Sequence, residues 1–412
     1  MTTATPHLLQ GYGLELEYMI VHRESLDVLP VADRLLALAS GAPERIINDV
    51  ERGEFEWSNE LTLHVVEMKT NGPAPSLSGL AEGFQAEARA MNQLLASLDA
   101  RLMPSAMHPW MHPFSETRLW PHGYRRVYQA YNRIFNCQGH GWSNLQSTHL
   151  NLAFQGDEEF GRLHAAIRLI LPLIPALAAS SPFVEGQARG PLDNRLVFYR
   201  QNQAKILSIA GQIIPEAVFT RADYERVILE RNYEDIAPFD PKGLLQEEWL
   251  NSRGAIARFQ RSAIEIRLID IQECPVADLA IVSLLSGVIS ALVAEQWSPV
   301  AEQQAMPIPP LVAALNEAIV NGERGVIRDP AYLRLFGIEE GQLPLGELCR
   351  RLAAKTMPDD DPNLKALTII LNQGPLARRL LAAAGQRPNR ARMRELYGRL
   401  ADCLEAGEMF VA

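Results

Sequence analysis

The sequence predicts an α+β fold in which a large antiparallel sheet is covered by helices and followed by a helical C-terminal portion. The segment 77–102 repeats apolar residues at intervals of three and four, which is typical of a long amphipathic helix. After Pro275 only helical patterns remain, so we expect one α+β unit over residues 1–275 and a helical portion over 276–412 packed on the same domain. Four earlier segments alternate polar and apolar residues as strands do: 12–19, 61–68, 146–154 and 262–271.

The remaining helices follow from apolar spacing and from proline positions. A second helix is expected over 163–179, where Pro172 and Pro175 should kink or end it. The apolar stretch 279–294 stops at Glu295 and is shorter than the roughly 20 residues that a membrane-spanning helix needs. We therefore expect a buried core helix at this place.

Composition and charge exclude several classes of partner. The 412 residues carry 39 basic and 49 acidic side chains, a net charge of -10, without a run of Lys or Arg. Nucleic acid is therefore not an expected partner. The four cysteines lie far apart with no CxxC pair, which indicates neither a disulfide framework nor a zinc cluster. No signal-peptide pattern follows the first Met, so we expect a cytoplasmic protein without a membrane partner, and homo-oligomerisation stays open.

The strands carry unusual residues on their polar faces. Glu15 and Glu17 share one face of the first strand, where their spacing of about 7 Å would allow one cation to bridge them. A solvent-exposed sheet face is the alternative, but such faces usually carry Thr, Lys, Ser and Gln. The recurrence of Glu, His, Asn and Arg therefore favours a binding site on the sheet. The later strands carry His149 with Asn151, and Glu265 with Arg267.

The second strand presents a difficulty. Glu60 and Glu67 flank it, but they are seven residues apart, an odd spacing that puts them on opposite faces of an ideal strand. A bulge or a turn near one end would be needed to bring the two carboxylates together. Without it, Glu60 is the weaker candidate for a metal ligand.

These residue types indicate a hard metal and a multiply charged anion. Carboxylates with one His and no thiolate favour Mg²⁺ or Mn²⁺ over Zn²⁺. Arg267 suits an anion shared with the metal, such as a nucleoside triphosphate, although an in-plane salt bridge to Glu265 is the alternative. The sequence has no GxxxxGK[ST] loop and no complete dinucleotide fingerprint. Any ATP is therefore expected to be held on the sheet by metal ions and Arg267.

Five short motifs lie on or beside these segments: GLELE at 13–17, NE at 59–60 with VEMKTNGP at 66–73, THLN at 148–151, SPF at 181–183 and IEIRLID at 264–270. They lie within about residues 10–275, and the C-terminal tail adds no distinctive motif. In this order they resemble the motifs of glutamate-cysteine ligase family 2 and related carboxylate-amine ligases.

The resemblance implies a glutamine-synthetase-like sheet as the floor of an active site, two or three Mg²⁺ ions and ATP as a substrate. It implies that glutamate and an amine, most commonly cysteine, are joined through an acyl phosphate. Arg267 would hold the transferred phosphoryl group and would be catalytic together with Glu265. Family members often carry a second His where this chain has Asn151, so a proton-transfer or metal role is not expected at this position, whereas hydrogen bonding to substrate stays open. The resemblance implies these metal ligands: Glu15, Glu17, Glu60, Glu67, His149 and Glu265.

The segment 108–142 is rich in Pro, Trp, Tyr, Arg and His and has no regular period. We expect it to close over the site and exclude water, with Arg125, Arg126 and Arg133, besides Arg118, binding substrate carboxylates. A packed aromatic subdomain is the alternative.

Three other functions stay open: a glycoside hydrolase, a phosphagen-type kinase and a nucleotide-binding protein without turnover.

Overall fold

An antiparallel sheet organises the first two thirds of the chain. The computed structural model describes residues 6–385 and 388–412, and within them the main sheet has eight strands. The strands in chain order are Tyr12–His22 (β1), Asp49–Arg52 (β2), Phe55–Asn59 (β3), Val65–Thr70 (β4), Ala100–Met103 (β5), Ser147–Ala153 (β6), Phe183–Val184 (β7), Gln187–Ala188 (β8), Ala255–Arg258 (β9), Ala263–Asp270 (β10), Val326–Ile327 (β11) and Leu343–Pro344 (β12).

The main sheet has the order β2-β3-β4-β1-β6-β10-β9, and β5 pairs with the second half of β1. The long strand β1 is therefore central, with β4 and β6 along its first half. Two separate short hairpins are formed by β7 with β8 and by β11 with β12.

Helices cover the apolar face of the sheet and make up most of the C-terminal portion. They are Ala32–Ala39 (α1), Leu80–Ala96 (α2), Pro113–Glu116 (α3), Arg125–Phe135 (α4), His140–Ser143 (α5), Gly156–Ile170 (α6), Ile174–Ala178 (α7), Asn194–Tyr199 (α8), Arg221–Tyr224 (α9), Glu230–Ile236 (α10), Pro275–Val293 (α11), Val300–Ala305 (α12), Ile308–Asn321 (α13), Pro330–Arg334 (α14), Leu345–Thr356 (α15), Leu364–Gln373 (α16), Leu376–Ala384 (α17) and Arg390–Ala406 (α18). Short 3-10 turns occupy Leu171–Leu173, Glu248–Leu250, Phe259–Arg261 and Gly322–Arg324, and a π-helical turn occupies Glu225–Leu229.

The hydrophobic core lies between the sheet and its helices. Leu14, Leu16 and Tyr18 of β1 are fully buried on the face that packs towards the helical layer. The helix α11 packs against α2, α6, α15 and α16, so the C-terminal portion shares this core. Two stretches, Gly156–Ala178 and Pro275–Val293, are long and apolar enough to span a membrane, but 94% and 78% of their apolar windows are buried inside the fold. They are core helices here, as expected for 279–294.

The predicted fold class, α+β with a large antiparallel sheet and a helical C-terminal part, is confirmed. Three local predictions were wrong. The strand predicted to begin at 61 begins at Val65, because the preceding residues form the connection from β3. The helix predicted to reach residue 102 ends at Ala96, because the chain turns at Asp99 (φ 54°) and pairs with β1 as strand β5.

The third correction concerns the C-terminal portion, which contains the two-residue strands β11 and β12 besides its helices. Such short strands leave no periodic pattern in the sequence.

Near Pro172, α6 changes to a 3-10 turn and continues as α7, as expected for a proline inside a helical segment. The last strand of the main sheet ends at Asp270 and α11 begins at Pro275, but the division at residue 275 stays a prediction.

Candidate active site

Polar side chains form rows across the sheet face that is opposite the core. In antiparallel strands, residues paired in register project on the same side. In one row, Glu17 of β1 pairs with Glu67 of β4, which pairs with Ser58 of β3. In the next row, Glu15 lies between Lys69 of β4 and His149 of β6.

A third row consists of Gly13, Asn151 and Glu265, on β1, β6 and β10. Gly13 lets the two strands approach closely here, because a Cβ at this position would make a tight contact of 3.0 Å with the Cβ of Asn151. The pairing of β1 with β4, β6 and, through β6, β10 therefore brings together polar residues that are up to 250 positions apart in the sequence.

Hydrogen bonds tie the first two rows together through His149. Its Nδ1–H donates to Glu15 Oε2 at 2.9 Å, and its Nε2 lies 3.0 Å from the Ser147 hydroxyl. Ser147 in turn donates its backbone N–H and its hydroxyl to Glu17 Oε2, at 2.7 and 2.9 Å. Asn151 donates its side-chain amide to Glu15 Oε1 at 3.1 Å. His149 and both glutamates are therefore oriented by neighbours on the sheet.

Glu60 and Glu67 approach each other because they lie on two different strands. Glu60 directly follows β3, and Glu67 lies on β4, which runs back alongside β3. Within the described part of the chain, one oxygen each from Glu17, Glu60 and Glu67 lie within 4.8 Å of one another. Atoms of Glu15, Glu67 and His149 form a second such group. The turn between β3 and β4 therefore replaces the bulge that a single strand would have needed.

The carboxylates of this cluster repel one another. Burial and the charges of Glu15 and Glu17 raise the pKa of Glu67 to about 7, although Lys69 opposes this increase. Desolvation and the neighbouring Glu17 and Glu67 raise the pKa of Glu60 well above its usual range. This cluster has more negative charge than its neighbours neutralise, and its donors are oxygens and one imidazole. The residues present therefore fit hard divalent cations such as Mg²⁺.

Glu15 behaves differently from the other carboxylates. Burial opposes its ionisation, but the hydrogen bond and the positive charge of His149 outweigh this and lower the pKa of Glu15 to about 2. Burial by itself would lower the pKa of His149. The hydrogen bond to Glu15 and the negative charge of Glu17 outweigh the effect of burial and raise this pKa. In this structure Glu15 and His149 therefore form a buried ion pair.

Lys69 is a cation on the polar face of the sheet, and the sequence predicted no role for it. Its Nζ lies 3.1 Å from Oε1 of both Glu56 and Glu67, and it donates to the Ser58 hydroxyl at 2.9 Å. Ser58 donates to Glu67 Oε1 at 2.8 Å. Lys69 and Ser58 therefore orient Glu67 from the side of the sheet edge.

Glu265 lies between two arginines. Arg258 of β9 donates to Glu265 Oε2 at 2.9 Å, and Arg267 Nε lies 2.9 Å from Glu265 Oε1. The register of β10 against β6 shifts between Ile266 and Ile269, so β10 has a bulge that begins at Arg267. Glu265 is outside both groups of potential metal-binding atoms found among the described residues, and its two carboxylate oxygens face Arg258 and Arg267. Its predicted role as a metal ligand stays untested.

A cavity of about 350 Å³ opens over the row that contains Glu17. Glu17, Glu60 and His149 lie in its lining on the side of the sheet, and Arg267 and Arg195 reach it from β10 and α8. Five aromatic side chains from short helices and turns line it as well, and we call them the aromatic wall: Tyr128, Tyr131, Trp142, Tyr199 and Trp249.

Arg195 was missed in the sequence. It is almost fully buried, forms an ion pair with Asp270 and donates to the backbone carbonyl of Arg267. Asp270 also accepts hydrogen bonds from the backbone N–H of Ser180 and the hydroxyl of Ser181. The motifs at 181–183 and 264–270 therefore meet in space at Arg195. No periodic pattern could indicate this, because α8 is six residues long and Arg195 depends on the distant Asp270 for its position.

The segment 108–142 contributes aromatic residues to the cavity rather than arginines. Tyr128, Tyr131 and Trp142 of this segment line it. Arg125, Arg126 and Arg133 are exposed on α4, outside the lining, and Arg133 donates to the carbonyl of Phe239 at 3.4 Å. Arg118 donates to carbonyls within its own loop, those of Ser115 and Thr117. The geometry thus gives no support to substrate binding by these arginines.

The sequence model of glutamate-cysteine ligase family 2 matches residues 12–399. A protein of Archaeoglobus fulgidus, itself uncharacterized, is 32% identical over 402 residues, which are 97% of this chain and 100% of that protein. A Rubrobacter xylanophilus protein called "Putative glutamate--cysteine ligase 2-3" is 26% identical over 199 residues, or 48% of this chain and 49% of that one. The match to this named relative thus spans about half of each chain.

Two solved structures share the fold. A glutamate-cysteine ligase from Francisella tularensis, in complex with AMP, superimposes with a TM-score of 0.57 at 12% identity, covering 96% of this chain and 89% of that chain. A bifunctional glutathione synthetase from Pasteurella multocida gives a TM-score of 0.55 at 14% identity, covering 97% of this chain and 52% of that chain. At these identities the structures establish the fold alone.

The family match extends over nearly the whole chain, and it includes every strand that contributes a residue to the polar rows. The chain belongs to glutamate-cysteine ligase family 2 and is an ATP-dependent carboxylate-amine ligase.

Proposed function

We propose that this protein joins the γ-carboxylate of glutamate to an amine, with ATP as the second substrate and Mg²⁺ as the metal. The observation that carries the proposal is the arrangement of Glu17, Glu60 and Glu67 around one point of the sheet, beside a cavity that Arg195 and Arg267 reach. Glutamate is the donor that the family description supports. The acceptor is less constrained, and cysteine is the reference acceptor for an assay.

The potential metal ligands form two groups, which indicate two metal positions. Glu17, Glu60 and Glu67 would hold one cation, and Glu15, Glu67 and His149 would hold a second. When bound, Mg²⁺ neutralises phosphate oxygens and orients the triphosphate for displacement. Ser147, Asn151 and Lys69 would orient these ligands, since each is hydrogen bonded or ion paired to one of them.

The buried arginines supply the positive charge that the reaction needs. A carboxylate that attacks the γ-phosphorus of ATP brings like charges together, so Arg267 is placed to stabilise the transferred phosphoryl group. Its guanidinium keeps its charge, because Tyr199, Glu265 and the glutamates of β1 raise the pKa of Arg267 despite its burial. Arg195 offers a second buried guanidinium for the α-carboxylate of the donor.

The proposed reaction has two steps. A γ-carboxylate oxygen bonds to the γ-phosphorus as the bond to the ADP oxygen breaks, which gives ADP and a γ-glutamyl phosphate. The amine, after losing one proton from its ammonium form, attacks the acyl carbon, and phosphate leaves with the bonding electron pair. The products are the γ-glutamyl amide, ADP, phosphate and one proton. The aromatic wall would shield the acyl phosphate from water.

The test is an ADP-release assay with ATP, Mg²⁺, glutamate and cysteine, together with mass analysis of the product. We expect ADP release that depends on glutamate and a product heavier than glutamate by the acceptor minus water. ATP binding without ADP release, over all carboxylate and amine pairs, would contradict the proposal and indicate a nucleotide-binding protein without turnover. A stable phosphorylated amine would indicate a kinase instead.

A further inference from the structure

The aromatic wall faces the polar sheet across the cavity and is held rigidly. The ring centroids of Tyr131 and Trp142 are 5.2 Å apart, and those of Tyr131 and Trp249 are 5.9 Å apart. Trp142 donates its indole N–H to the carbonyl of Asn202 at 3.3 Å, and the Tyr128 hydroxyl accepts from the side-chain amide of Asn59 at 3.2 Å. These contacts join Tyr131, Trp142 and Trp249 into one apolar surface.

Positive charge is scarce in the same cavity. Among the residues that the structure describes, Arg195 and Arg267 are the only Arg or Lys side chains in the lining, and the positive charge of His149 is already paired with Glu15. Each already forms an ion pair with a buried carboxylate: Arg195 pairs with Asp270, and Arg267 pairs with Glu265. In the proposed reaction Arg267 serves the phosphoryl group, Arg195 serves the α-carboxylate of glutamate and the metal ions would serve the triphosphate, so no cationic side chain of the lining remains for a second carboxylate.

The acceptor therefore meets surroundings that disfavour an anion. The faces of aromatic rings carry partial negative charge, which attracts an ammonium group and repels a carboxylate. A carboxylate placed against the aromatic wall would lose its hydration without gaining a partner.

We infer that the acceptor is a primary amine that carries an apolar or aromatic group and no α-carboxylate. This inference rests on the proposed function, and it narrows the acceptor from amines in general to amines other than α-amino acids. The apolar group packs against Trp142, Trp249 and Tyr131, and the faces of these rings also attract the ammonium form of the amine.

The experiment compares two pairs of acceptors that differ only by the α-carboxylate: cysteamine with cysteine, and 2-phenylethylamine with phenylalanine. Each is assayed for ADP release and for the γ-glutamyl product with saturating glutamate, ATP and Mg²⁺. We expect kcat/KM to be at least about tenfold higher for the amine than for the amino acid in both pairs, the effect of one unpaired buried charge. Amino acids that react as well as their amines would overturn the inference and leave the proposed function intact.

If no acceptor supports glutamate-dependent ADP release, the proposed function fails, and the inference fails with it. A variant of the aromatic wall gives a second measurement. Trp249→Ala should raise the KM for 2-phenylethylamine severalfold and leave the KM for glutamate unchanged, and Trp249→Phe should restore it. Trp297→Ala, which removes a tryptophan that packs on Phe336 instead, is the matched control. An unchanged KM for the amine in folded Trp249→Ala would contradict the inference.

Discussion

The sheet face and the aromatic wall that meet across the cavity are built in opposite ways. The polar residues of the sheet lie on long strands paired in register, and Glu15, Glu17 and Glu67 each have at least one hydrogen-bond partner on the sheet. The residues of the wall come from α4, α5, α8 and a 3-10 turn, none of them longer than eleven residues. Tyr131 and Trp142 belong to or pack on a satellite hydrophobic cluster separate from the main core.

This difference separates the two tasks of the site. Chemistry that requires several charges at fixed distances is placed on a rigid sheet, where register sets the distances. Recognition of a variable substrate is placed on short elements, which can change without disturbing that register. Substitutions on the sheet should therefore abolish turnover with any acceptor, whereas substitutions on the wall should change which acceptor is used.

The largest effect is expected for Glu67→Gln on the sheet. Glu67 belongs to both groups of potential metal-binding atoms, and the change removes its charge with little change in shape. We expect ADP release to fall by about a thousandfold, while the melting temperature of the metal-free protein is kept or raised because one repelling carboxylate is lost. Glu51→Gln on the exposed part of β2 is the matched control. Activity above a tenth of the original value would contradict a metal role for Glu67.

Arg267→Lys should have the next largest effect. The lysine keeps the charge but loses the planar fork, so we expect kcat to fall by about a hundredfold. Arg258→Lys is the control, because Arg258 binds the same carboxylate of Glu265 from outside the cavity lining. If Arg267 only forms a salt bridge, its variant will instead melt at a lower temperature and turn over normally while folded.

The affinity for the metal should rise with pH. The pKa of Glu67 is raised to about 7, and that of Glu60 is raised well above its usual range, so at pH 6 Glu67 mostly holds a proton that a cation must displace. Between pH 6 and pH 8 the proton of Glu67 is lost, and we expect the Kd for Mn²⁺ to fall by about tenfold. Electron paramagnetic resonance of free Mn²⁺ measures this directly. Glu67→Gln should flatten the dependence, and a Kd independent of pH in the unmodified protein would contradict the assignment.

The smallest effect is expected for the exposed arginines of α4. Because Arg125, Arg126 and Arg133 lie outside the cavity lining, replacing each by Ala should change kcat and the KM for glutamate by less than about twofold, as for most surface substitutions. Arg195→Met, in contrast, should raise the KM for glutamate strongly. A large effect of Arg126→Ala on the KM for glutamate would show that α4 moves over the site during turnover.

Much of the sheet was predictable because side chains alternate with period two along a strand. Glu15 and Glu17, or His149 and Asn151, can be assigned to one face from their spacing alone. The partners of each strand were not predictable in this way. Strand β5 has the sequence of a helix end and becomes a strand because it pairs with β1, which is a long-range interaction.

The sequence by itself determined which residues lie on the polar face of each strand and that the apolar stretch 279–294 would be buried, since both depend on local periodicity and apolarity. Tertiary structure decided which of these residues meet. The turn between β3 and β4 brings Glu60 to Glu67, Asp270 places Arg195 in the cavity, and short elements far apart in the chain assemble the aromatic wall. These arrangements arise from contacts between distant segments, and such contacts leave no period in a single sequence.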